Sequence, residues 1–98
     1  MFTNPMIVVA GHLRVATDDR VVFLARSRAA VELARAAPGN LGFVVAADPL
    51  DPTLVHVYER WSDRTSLMAF RGDGPDDELG AMILGADVDE FEVLPARD

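Results

Sequence analysis

The ten residues Met6 to Val15, MIVVAGHLRV, constrain the fold more than any other stretch. Apolar and β-branched side chains occupy odd and even positions alike, the pattern of a strand covered on both faces. One face carries Val8, Ala10, His12 and Arg14; the other carries Ile7, Val9, Gly11, Leu13 and Val15. Helices can cover one of these faces. The other needs a second cover, and the economical one is a sheet from another subunit.

The rest of the chain supplies the partners of that strand. Thr17 reads as an N-cap, with Asp18 and Asp19 in the first turn of a helix whose stripe runs Val22, Ala25, Ala29, Leu33 and Ala36, widened by Phe23, Ala30 and Ala34. Pro38-Gly39 stops it. Leu41 to Ala47 and Leu54 to Trp61 read as strands joined by DPLDP, whose two prolines and two aspartates suit a hairpin loop longer than two residues. Ser62-Asp63 caps a short helix containing Leu67, Met68 and Phe70. RGDGP breaks that helix. Pro75 opens another helical turn, with Leu79, Met82 and Ile83 on its buried side. A last strand spans Val88 to Leu94. The order β-α-β-β-α-β predicts an α+β, ferredoxin-like antiparallel sheet with helices on one face, and 98 residues make one domain, 1–98.

Charge and composition remove several classes of function. Sixteen acids face nine bases, all arginine, for a net charge of −7. Such a surface repels phosphates, so neither nucleic acid nor a membrane is an expected partner. No stretch approaches the roughly 20 apolar residues of a membrane span, and no signal peptide is read at the N-terminus. The absence of cysteine excludes disulfides and thiolate-held metals and fits a cytoplasmic protein. The acids of DGPDDE lack calcium-loop spacing, and we expect no metal site there. Phosphate-binding, hydrolase and zinc-protease motifs do not occur.

The segment ARAAPGNLGFVVAADPLDPTLVHVYERWSDRTSLMAF, taken with the first strand IVVAGHLRV, resembles the antibiotic biosynthesis monooxygenase family. The resemblance rests on the order and spacing of Pro-Gly, Leu-Gly-aromatic, an Asp-Pro hairpin and Glu-Arg-Trp. It implies a dimeric α+β barrel, two such units packed sheet to sheet, each with a pocket between sheet and helices. Similar proteins include cofactor-free oxygenases of polyketide anthrones, haem-degrading oxygenases, quinol oxygenases and small-metabolite isomerases.

Candidate site residues follow. A lone histidine in an apolar strand, His12, is read either as a neutral imidazole satisfied by a carbonyl or as a base. The resemblance implies the second role, because haem-degrading relatives carry a pocket asparagine at that strand position. Those relatives also need a helix tryptophan, where Phe70 stands here, and a histidine just beyond it; none follows in this chain, which argues against haem. Phe23, Phe43, Trp61, Phe70 and Met82, with His12 as the polar group, would form a lining for a small aromatic or apolar ligand. Arg71 is either a solvated helix cap or a partner for an anionic substrate. Glu59 and Arg60 read as a structural ion pair. His56 and Tyr58 should face a subunit interface if Trp61 faces the helices. The expected function is a cofactor-independent monooxygenase acting as a homodimer on an aromatic, polyketide-like molecule, with His12 as base and no cofactor. The alternative is a non-enzymatic small-molecule-binding or accessory dimer of the same fold.

Overall fold

The computed structural model describes residues 4–73 and 77–94, the side chains of Asp73 and Asp77 excepted. Strand β1 (Met6–Val15) leads through a 3₁₀ turn (Thr17–Asp19) into helix α1 (Arg20–Ala36). The hairpin β2 (Asn40–Ala47) and β3 (Leu54–Trp61) follows, then α2 (Arg64–Phe70), a 3₁₀ turn (Arg71–Asp73), α3 (Asp77–Met82) and β4 (Ile83–Val93). The strands form one antiparallel sheet in the order β2-β3-β1-β4, with the helices over one face. This is the expected ferredoxin-like α+β fold.

Residues paired across an antiparallel ladder share a face. The pairs Ile7↔Trp61, Val9↔Glu59 and Leu13↔Val55 therefore point together. Burial identifies theirs as the helix-covered face: Ile7, Val9, Val15, Val55 and Trp61 are buried. The complementary rows lie on the other, open face. They are Val8–Arg60–Phe91, Ala10–Tyr58–Asp89 and His12–His56–Asp87.

Gly11 sits where the chain allows no side chain. A Cβ there would lie 2.7 Å from the Val88 Cα, inside the β1–β4 ladder. The DPLDP loop is a pair of side-chain turns. Asp48 Oδ2 accepts from the amides of Leu50 (2.9 Å) and Asp51 (2.7 Å), and Asp51 Oδ1 accepts from the amide (2.8 Å) and hydroxyl (2.7 Å) of Thr53. Arg20, the first residue of α1, donates to the carbonyls of Asp51 (2.9 Å) and Asp48 (3.2 Å), tying the helix start to the hairpin.

Three details differ from the sequence reading. Thr17 opens a 3₁₀ turn rather than α1, and no side chain caps either element. Helix α1 buries Phe23, Ser27 and Ala34, whereas Leu33, Val22, Ala25, Ala29 and Ala36 are exposed. An alanine-rich helix offers two apolar stripes one residue apart, and the bulk of Phe23 selects the face. Strand β4 starts at Ile83 rather than Val88, because pairing with β1 runs its full length. The role given to Pro75 lies outside the described residues.

Candidate active site

The sheet builds the site in two neighbouring rows on its helix-covered face. One row holds Trp61, Ile7 and Glu92; the next holds Phe43, Glu59, Val9 and Glu90. Glu59 and Trp61 are two residues apart on one strand and so share a face. The Trp61 indole Nε1 donates to Glu59 Oε1 at 3.0 Å, and both residues are buried. Burial raises the proton affinity of the Glu59 carboxyl above its ordinary range, and the nearby Glu90 adds to this; the indole bond and the Arg71 charge act in the opposite sense.

Helix α2 roofs these rows. Asp63 caps it, accepting from the Ser66 amide at 2.8 Å. Both ends are held by one carboxylate, because Glu90 accepts from Arg64 (2.9 Å) and Arg71 (2.6 Å). These bonds hold the Glu90 carboxyl below its usual range, the Arg71 bond most strongly. The last residue of α2, Phe70, lays its ring against Trp61 (centroids 5.3 Å, 32° between planes) and edge-on to Phe43 (5.8 Å).

The expected lining is thus divided. Phe43, Trp61 and Phe70 meet in one cluster with Ile7, Val9, Ala34 and Leu67. Phe23 and Met82 belong to a second cluster around Val15 and Val55. His12 is on the open face, its ring 6.2 Å from that of His56, and is not the polar group beside the Trp61 cluster. His56 Nε2 is 2.6 Å from Asp48 Oδ1. The bonds from the Asp51 amide, His56 and the Leu50 amide lower the Asp48 carboxyl to about 2. Arg71 is a C-cap engaged with Glu90. Arg60, on the face opposite Glu59, is not the partner of that carboxylate. Sequence reasoning had passed over the role of Glu59, although the spacing Glu-x-Trp already puts its carboxylate beside the indole.

Both histidines of the chain lie on the open face, so the helix-covered face carries no imidazole to ligate haem. No group of three metal-ligating side chains occurs among the described residues. No helix among them is long and apolar enough to cross a membrane.

Known structures share this architecture. Two proteins named "putative antibiotic biosynthesis monooxygenase" align over almost their whole length. The one from Nitrosomonas europaea has a TM-score of 0.81 at 22% identity, covering 96% of this chain and 95% of that one. The one from Chloroflexus aurantiacus has a TM-score of 0.73 at 26% identity, covering 95% and 97%. A conserved protein from Methanosarcina mazei gives 0.79 at 15% identity, covering 94% and 96%. No protein of curated function matches. The family model for "Antibiotic biosynthesis monooxygenase" matches residues 6–74, which carry the first strand, the hairpin, Glu59, Trp61 and Phe70: the chain belongs to the antibiotic biosynthesis monooxygenase family.

Proposed function

We propose that the protein is a cofactor-independent monooxygenase of a flat, aromatic, polyketide-like molecule, and that Glu59 rather than His12 is its base. The observation that carries this reading is the buried carboxyl of Glu59, positioned by the Trp61 indole and bordered by Phe43. A carboxylate with raised proton affinity in an apolar pocket suits removal of an acidic C–H or phenolic proton.

For an anthrone-like substrate the chemistry balances without a further reductant. Glu59 takes the proton from the activated methylene, and the resulting carbanion gives one electron to dioxygen. Radical recombination and protonation form a hydroperoxide. Loss of water then leaves a carbonyl: one oxygen atom stays in the product and the other leaves as water. Trp61 and Phe43 wall the reacting ring and keep water from the radical pair. A second copy covers the open face and completes the working dimer.

The test follows anthrone oxidation by oxygen uptake and quinone absorbance. The wild type should accelerate it over buffer, and Glu59→Gln should lower the rate by about 10²- to 10⁴-fold, the usual worth of a general base. His12→Ala is the discriminating variant. If it abolishes turnover while Glu59→Gln does not, the base lies on the open face. Equal decay with and without protein would reject the oxygenase reading for this substrate class. It would favour a binding dimer, a reading supported by the complete burial of Trp61 beneath Phe70.

A further inference from the structure

A groove of about 260 Å³ lies between the α1–β2 turn and α2, lined by Ala37, Pro38, Thr65, Ser66, Ala69 and Phe70. Phe70 belongs to two environments. It borders this groove, and its ring also packs on Trp61 and Phe43. Trp61 itself has no exposed surface. A single aromatic ring therefore stands between an open apolar groove and the buried indole with its bonded carboxylate.

The helix carrying that ring is tied at both ends. Asp63 caps the start of α2, and Arg64 and Arg71 fasten its two ends to Glu90. What can move with the helix staying in place is the Phe70 side chain, by a rotamer change that gives up its contacts with Trp61 and Phe43. The groove alone is slightly smaller than the roughly 300 Å³ at which ligand pockets begin. The space vacated by the ring would enlarge it and join it to the indole. A planar aromatic guest would then take over the stacking contacts that Phe70 gives up, so the exchange favours aromatic over aliphatic ligands.

We propose that Phe70 is the specificity-determining residue of the site: its ring closes the Trp61–Glu59 pocket at rest and sets which aromatic molecules enter from the α1–α2 groove. This rests on the pocket assignment under Proposed function, but its test does not depend on turnover.

Trp61 is the chain's only tryptophan, so its emission lifetime reports access directly. Nitrobenzene, a flat aromatic that quenches indole on contact, is the probe. Quenching should be weak in the wild type, severalfold stronger and saturable in Phe70→Ala, and intermediate in Phe70→Leu. Leu67→Val, which trims the same buried cluster at a residue that does not line the groove, should match the wild type. Far-UV circular dichroism verifies folding, and if Phe70→Ala does not fold, Phe70→Leu against Leu67→Val makes the same comparison. Quenching in the Phe70 variants no greater than in Leu67→Val would overturn the proposal. Anthrone turnover in the same variants separates the two ideas. Graded quenching without any turnover keeps Phe70 as the entry residue and removes the oxygenase. Turnover with unchanged quenching does the reverse.

Discussion

At the residue scale, the balance of forces on Glu59 has a measurable thermodynamic counterpart. Its folded state binds a proton more tightly than the ordinary carboxyl value of 4.5, mainly because burial penalises the charge. A raised carboxyl favours the folded state fully below that ordinary value, and the contribution is lost as pH rises through the folded-state value. Glu59→Gln keeps an oxygen to accept from the indole but cannot ionise. Urea titrations at a series of pH values should therefore show the stability difference, variant minus wild type, growing upward from about pH 4.5. A difference independent of pH would mean that Glu59 holds its proton no more tightly in the folded than in the unfolded state. The pairing of Glu59 with Trp61 was readable from two-residue spacing on a strand. The same alternation puts Arg60 on the opposite side, so the pleat rules out the ion pair that the adjacency of Glu59 and Arg60 invites.

At the scale of elements, β3 and the hairpin loop follow from the sequence because local chemistry decides them. Alternating branched residues make the strand, and Asp48 and Asp51 fold the loop with their own carboxylates. The position of His12 was not legible for a different reason. Each strand reveals which of its residues share a face, but not which face it shares with its neighbour. That depends on register, and a one-residue slip between β1 and β3 would have put His12 opposite Val55 or Val57, on the same face as Trp61. Gly11 helps to hold the register actually adopted, through its close approach to β4. Gly11→Ala should cost about 1–3 kcal/mol, the usual range for forcing atoms into packed space. Chemical denaturation would measure it, and backbone amide exchange should show the loss concentrated in the β1–β4 ladder. A neutral substitution would show that β4 can yield.

At the scale of the molecule, the shortest dimension is 18 Å, the depth of one sheet and one layer of helices. The open face presents Phe91 at 49% and Tyr58 at 40% exposure, near Val8, Ala10 and Val44. A stripe of this kind calls for cover, and a two-fold partner would place each residue in the interface twice. Phe91→Asp should then weaken self-association by about 100-fold, two buried charges each costing at least 1–3 kcal/mol. Sedimentation equilibrium measures it, and a wild-type protein already monomeric at high concentration would refute the paired-sheet arrangement. Strand β3 gives this arrangement a further property. Val55, Glu59 and Trp61 look inward while His56, Tyr58 and Arg60 look outward, so eight consecutive residues carry two interleaved alphabets. A lineage could rewrite its choice of partner at the even positions and its chemistry at the odd ones, each edit leaving the other text intact.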